Sequence, residues 1–299
     1  ARRRDIDRAG LFDFECVFLG RWRGNYLRHA GPEHVMAFAP TRSGKGVGLV
    51  VPTLLSWTGS AVIHDIKGEN WQLTSRWRSG FSRCIRFDPT SLSTARFNPL
   101  LEVRPGHRDV RDVQNIADIL VDPEGALERR NHWDKTAHSL LVGAILHVLY
   151  AGKDKTLSGV AALLSDPERP IDETLQAMMT ANHLGTDDRP IVHPVVAQAA
   201  RELLNKSENE KSSVISTAVS FLGLYRDPVI QNATSASDWC VADLLPGRSP
   251  HSLYLVVPPS DLSRTRPLIR LILNQIARRL CEEIPSAVQA KQQTLFMLD

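Results

Sequence analysis

The chain has 299 residues, enough for one large domain or two ordinary ones. Hydrophobic residues make up 42% and charged residues 23%, which excludes a globally disordered polypeptide. The formal net charge is only +3, so bulk charge gives no argument for nucleic acid, and any such contact has to come from local basic surface.

The chain opens on Ala1 followed by Arg2, Arg3 and Arg4. This basic run reads either as the cytoplasmic flank of a preceding membrane helix or as a solvated terminus. Val35 to Phe38 is a short apolar run, taken as a strand. Ala39-Pro40-Thr41-Arg42-Ser43-Gly44-Lys45-Gly46 follows, then a helical stretch from Val47 to Leu55 in which Pro52 should kink or end the helix. Ser60 to His64 reads as a second strand ending on Asp65, Asn70 to Arg78 as a helix, and Cys84 to Phe87 as a third strand ending on Asp88-Pro89. Strand and helix in alternation predict a parallel sheet covered by helices, an α/β fold.

After Pro99 the pattern changes. Asp109 to Val121 has apolar residues at helical spacing. His132 to Tyr150, Leu157 to Leu164, Ile171 to Thr180, Pro194 to Leu204 and Ser212 to Leu224 are also helix-like. No strand pattern interrupts them, which predicts an all-α insertion at 107–238 between two parts of a nucleotide-binding domain, 1–106 and 239–299. In the last part Ser252 to Val257 reads as a strand, Arg266 to Glu283 as an amphipathic helix and Thr294 to Leu298 as a strand. No apolar run approaches the ~20 residues that span a bilayer; the nearest candidate, Leu140 to Ala151, contains His147. Cys16, Cys84, Cys240 and Cys281 are scattered, which argues for free thiols. His132 and His138 are six apart on one helix and do not share a face.

The chemistry concentrates in Thr41 to Val47. A phosphate cradle needs inward-pointing N–H groups, a helix N-terminus behind them and a Lys that reaches the β- and γ-phosphates. Gly44, Lys45 and Gly46 supply these parts, with Thr41, Arg42, Ser43 and Val47 beside them. The pattern differs from GxxxxGK[ST] in two places: Ala39 stands first, and Gly46 stands where a hydroxyl usually binds Mg²⁺. Either Ser43 or water takes that role, or metal binding is weaker. Arg42 reads as a contact to phosphate or to a neighbouring subunit, or equally as a solvated loop residue.

The run Leu295 to Leu298 followed by Asp299 reads as a strand ending in a carboxylate that holds Mg²⁺ through water. The acidic residue that would orient the attacking water is expected beyond Asp299, so the 299-residue chain is expected to hydrolyse ATP poorly. Asp65, Lys67 and Glu69 follow a strand end, where parallel sheets face ligand. They read as groups near the nucleotide or a subunit boundary, or as a charged loop opening a helix.

Ala39 to Gly48, Val51 to Leu55, Asp65 to Asn70, Phe87-Asp88-Pro89, Phe97 to Leu100, Leu253 to Asp261 and Leu295 to Asp299, in this order, resemble TraG-type coupling proteins of conjugative DNA transfer and type IV secretion. The resemblance covers nearly the whole chain, and Gly46 is ordinary within that family. It implies a hexameric RecA-like P-loop ATPase with an all-α insertion, using ATP and Mg²⁺ at the cytoplasmic face of the bacterial inner membrane. It further implies relaxase-bound DNA or effector proteins as substrates, and type IV secretion inner-membrane components as partners. Two other readings remain: a chromosome-segregation-type DNA translocase, against which the large helical insertion argues, and a non-catalytic adaptor whose fold nucleotide organises. Arg264, Arg266, Arg278 and Arg279 could line a DNA path, although Arg278 and Arg279 read better as a solvated face. DNA binding is expected to be weak and salt-dependent.

Overall fold

The computed structural model describes residues 2–12, 16–31, 33–40, 42–122, 125, 131–282 and 293–298. The chain divides into two compact units: Ala1–Phe87 with Ala242–Pro259 and Glu282–Asp299, and Asp88–Val241 with Ser260–Cys281. The second unit thus takes in residues 88–106 and 260–281, on both sides of the expected 107–238.

The first unit holds helix α1 (Arg3–Arg8), strands β1 (Val17–Trp22), β2 (Asn25–His29), β3 (Ala61–Asp65), β4 (Arg83–Phe87), β5 (His251–Val256) and β6 (Leu295–Leu298), and helices α2 (Val51–Ser56) and α3 (Glu69–Arg78). Its main sheet has the order β4-β5-β3-β6 and is parallel throughout. The strands read as near-continuous apolar runs because parallel strands are covered on both faces. Val50 and Leu54 pack on Ala61, Ile63, Tyr254 and Val256, with Trp57, Trp71, Leu295 and Met297 around them. Three to four such buried aliphatic side chains contribute about 1.5–3 kcal/mol each.

One expectation for this unit is corrected. Val35 to Phe38 forms no strand, and Val35, Met36 and Phe38 are 45, 77 and 89% exposed. A strand exists only where a neighbour supplies hydrogen bonds, and the ladders of the main sheet run among β4, β5, β3 and β6. At 17–29, where no element was expected, β1 and β2 form an antiparallel hairpin. Its two-residue loop, Arg23-Gly24, has positive φ at both positions (47° and 85°), the twist that closes tight hairpins. The Phe18 N–H donates to Thr53 Oγ1 at 3.0 Å, tying the hairpin to α2.

The second unit is helical: α4 (Asp109–Val121), α5 (His132–Ala151), α6 (Leu157–Leu164), α7 (Ile171–Thr180), α8 (Pro194–Leu204), α9 (Glu208–Phe221), α10 (Pro228–Thr234) and α11 (Leu262–Glu282). Side-chain caps open several of them: Asn131 on the Asp134 N–H, Thr156 on the Gly159 N–H, and Ser207 on the Glu210 N–H. Helix α5 is buried along its centre and packs on α4, α6, α8 and α9. Gly143 permits the close approach of α8, since a Cβ there would lie 2.5 Å from the Ala199 Cβ. Helix α11 is fixed to this unit by Gln275 Nε2 on the Pro99 carbonyl (2.9 Å) and Arg270 Nη1 on the Asp122 carbonyl (2.6 Å).

A buried polar chain crosses this unit. His147 Nδ1 lies 3.0 Å from His183 Nε2, and His183 Nδ1 accepts the His193 N–H at 3.2 Å. The His193 ring lies 3.5 Å from Asp109, which also accepts the Tyr150 hydroxyl. Desolvation lowers the His147 pKa to about 4, helped by His183 and Arg169. The unfolded chain therefore binds the His147 proton near its ordinary value of 6.5, and the folded chain only near 4. Stability from this group is complete above pH 6.5 and falls as pH drops through that window. Urea midpoints measured across it should fall with acid, with a shallower slope in His147→Leu. Parallel curves for the two proteins would contradict this assignment.

Candidate nucleotide-binding site

The loop before α2 carries the site. Arg42 (φ 63°) and Gly44 (φ 88°) are both left-handed, and Lys45 returns to the right-handed helical region (φ −51°, ψ −51°). A left-handed residue followed by a right-handed one turns successive N–H groups toward one concave side, a geometry that accepts anions. Arg42 has a Cβ and is held there at a cost of about 1–2 kcal/mol, whereas Gly44 takes the conformation freely. From Lys45 the chain winds directly into helix, and the opening N–H groups have no intrahelical carbonyl to bond.

Residues Gly46–Val50 are π-helical, with the Val51 N–H on the Gly46 carbonyl, and α2 continues from Val51. Pro52 therefore does not end the helix. It sits at the junction of the wider turn and α2, in the first positions of the α-helical segment, where its missing N–H costs least. Lys45 is half-buried, and Arg42, Ser43, Gly44 and Val47 are exposed. Among the described residues Lys45 makes no ion pair. The loop thus offers a cation and a row of N–H groups with no competing protein anion, which suits phosphate oxygens. Thr41 lies outside the described residues.

Asp65 at the end of β3 does not face an open crevice. It is buried, and its Oδ2 accepts the Trp71 N–H at 2.8 Å, so it caps the first turn of α3. Lys67 and Glu69 are exposed on the loop that follows. The register pairs His64 with Leu298, which brings the C-terminal ends of β3 and β6 level. Asp299 itself lies outside the described residues. Among those described, no group of three or more His, Cys, Asp or Glu can hold a metal. A nucleotide-bound Mg²⁺ needs less, since phosphates and waters supply most of its ligands. His132 and His138 are separate, near Glu210 and Asp118 respectively, and the four cysteines are not in disulfides.

Other motif residues hold structure together within the second unit. Arg96 makes a fork to the Asp238 carboxylate, Phe97 stacks on Trp239 at 4.2 Å, and Asn98 bridges the Leu100 N–H and the Lys155 carbonyl. Arg264 is paired with Asp227 and Asp261, and Arg279 donates to the Glu102 carbonyl. Arg278 donates to Asn274 on its own helix.

One group that sequence reasoning passed over is Arg78, which lies fully buried against α2. It donates to the Leu54 and Trp57 carbonyls at 2.7 and 2.6 Å, capping the C-terminal end of α2. Nothing in its sequence spacing distinguished it from an exposed helical arginine.

A parallel sheet with crossover helices and a glycine–lysine turn opening a helix over it define a RecA-like P-loop nucleotide-binding fold. Residues 5–299 match the family described as Type IV secretory system Conjugative DNA transfer, and the chain belongs to that family of TraG- and VirD4-like coupling proteins. It is 46% identical to the conjugal transfer protein TraG of Escherichia coli, over 95% of this chain and 47% of that protein. It is 31% identical to protein VirD4 of Agrobacterium fabrum, over 93% of this chain and 40% of that protein. The chain spans about half the length of the curated relatives it matches. Its fold is similar to the plasmid coupling protein TrwB solved with the ATP analogue ADPNP, with a TM-score of 0.59 and 17% identity, over 87% of this chain and 55% of that one. TrwB has also been solved with ADP and Mg²⁺, and there the TM-score is 0.55 at 14% identity, over 86% of this chain and 62% of that one.

Proposed function

We propose that this chain is the nucleotide-binding part of a coupling ATPase that recruits relaxase-bound DNA or effector proteins to a type IV secretion channel and drives their transfer by ATP hydrolysis. The turn from left-handed Gly44 into a helix at Lys45, with no protein anion on the lysine among the described residues, carries the reading. The nucleotide complexes of TrwB support it. Thr41, Arg42, Ser43, Gly44, Gly46 and Val47 form the loop around the phosphates, and Lys45 carries the positive charge to the β- and γ-phosphates. Asp299 would hold Mg²⁺ through water, and the metal would supply charge neutralisation on the phosphates. Lys67 and Glu69 lie at the edge of the site, near a subunit boundary in a homo-hexamer. The 107–238 region recruits substrate, and the whole protein works with type IV secretion inner-membrane components at the cytoplasmic face of the bacterial inner membrane. No helix among the described residues is long and apolar enough to cross a membrane.

Titration of a fluorescent ATP analogue into the chain, with and without Mg²⁺, tests the site. Saturable binding strengthened by Mg²⁺ is expected; absence of binding under both conditions would leave a structural turn and refute the nucleotide assignment. Because Arg264 and Arg279 are committed to partners within their own unit, DNA binding by this chain is expected to be weak and to fall steeply with salt. Tight binding that persists at high salt would contradict this.

A further inference from the structure

We propose that the β1–β2 hairpin is a docking element for an anionic phospholipid surface, with Arg21 and Arg23 as its headgroup contacts. From Val17 to His29 the hairpin contains Arg21, Arg23 and Arg28 and not one Asp or Glu, while His29 at its end is paired with Glu33 at 3.2 Å. Arg21 and Arg23 are exposed, and among the described residues neither has a carboxylate partner. The same short element carries Trp22, Tyr26 and Leu27, and Tyr26 is 50% exposed. Arginines with amphipathic aromatic rings, free of acidic residues, match the chemistry of the headgroup layer.

The arrangement of the rings favours lipid over nucleic acid. The Arg21 guanidinium lies 5.5 Å and the Arg28 guanidinium 5.3 Å from the centre of the Tyr26 ring, and the Phe18 ring meets it edge-on at 5.5 Å. The Arg23 guanidinium lies 4.9 Å from the Trp22 ring. A single-strand binding platform needs ring faces open for bases. Here stacking a base would displace guanidinium groups already in place. Guanidinium groups held over rings still present N–H donors outward, as phosphate oxygens require.

The hairpin is also held rather than loose. Phe18 is buried, its N–H is bonded to Thr53 of α2, and the Arg28 N–H donates to the Leu11 carbonyl at 2.8 Å. Leu11 in turn donates to the Ile6 carbonyl of α1, whose exposed Arg3, Arg4 and Arg8 add basic surface against Asp5 and Asp7. The proposal rests on the membrane-side placement given above and is independent of nucleotide chemistry.

The test is flotation of the 299-residue chain with pure phosphatidylcholine vesicles and with mixed phosphatidylcholine–phosphatidylglycerol vesicles. Binding is expected only to the anionic vesicles and should fade with salt. Each arginine near such a surface contributes about fivefold, so the double variant Arg21→Gln, Arg23→Gln should partition roughly 30-fold less. Its ATP-analogue binding and melting temperature should match the parent, which separates this test from that of the nucleotide site. Equal partitioning of parent and variant, or no binding of the parent to anionic vesicles, overturns the proposal. Loss of single-stranded oligonucleotide binding in the variant with vesicle binding unchanged overturns it in favour of nucleic acid.

Discussion

Replacing Lys45 with alanine is expected to weaken binding of an ATP analogue by roughly 10- to 150-fold. A hydrogen bond from a cationic donor to phosphate contributes about 1.5–3 kcal/mol, and each 1.4 kcal/mol is a factor of ten. Lys45 sits where the left-handed turn passes into helix, and among the described residues no carboxylate holds it away from a ligand. The variant should melt at the temperature of the parent, because a half-buried lysine without a partner contributes little to the fold. Isothermal titration on both proteins gives the comparison. Equal affinities would mean that Lys45 does not touch phosphate and that the loop is a turn between elements. A Lys45→Arg variant keeps the charge but not the reach, and intermediate affinity is expected for it.

Replacing Arg78 with methionine is expected to lower unfolding stability by about 4 kcal/mol. Arg78 has no exposed surface, and burial lowers its pKa. It is held not by a carboxylate but by neutral acceptors: the Leu54, Trp57 and Gly59 carbonyls and the Ser252 hydroxyl. Methionine fills much of the volume but leaves those acceptors without their donors, at about 1–3 kcal/mol for each one that water cannot reach. Two of the carbonyls belong to the end of α2, so the loss should also loosen the helix that presents Lys45 and reduce nucleotide affinity. Denaturant unfolding and the ATP-analogue titration measure the two effects. A stability change below about 1 kcal/mol would show that water replaces the guanidinium.

The candidate site was legible in part. Gly44-Lys45 at a helix start is a local pattern, and the structure forms the turn where the sequence puts it. Asp65 was read either as a strand-end carboxylate near the nucleotide or a subunit boundary or as part of a charged loop opening a helix, and its place at the end of β3 is as expected. The structure favours the second, because its carboxylate caps the Trp71 N–H of α3, a choice that only folding makes. The β1–β2 hairpin was overlooked because its signal is weak: a bulge between Phe18 and Gly20 breaks the alternation, and an arginine opens the turn where Asn or Asp is usual.

The sequence by itself determined four of the helices to the residue. Asp109–Val121, Leu157–Leu164, Ile171–Thr180 and Pro194–Leu204 have the bounds that periodicity and caps indicate. A helix satisfies its backbone within a few residues of chain, so local pattern is enough. Other helices were read less fully: α9 and α11 begin four residues earlier than expected, at Glu208 and Leu262 rather than Ser212 and Arg266, α9 behind a Ser207 cap that apolar spacing does not reveal, and the short α1 and α10 were not read at all. Tertiary structure decided the rest. Val35 to Phe38 has a strand's composition and no strand's partner, Arg78 became a buried cap, and α11 was assigned to the helical unit by its contacts. Each of these depends on groups far apart in sequence, whose hydrogen bonds and burial exist only after the chain has closed on itself.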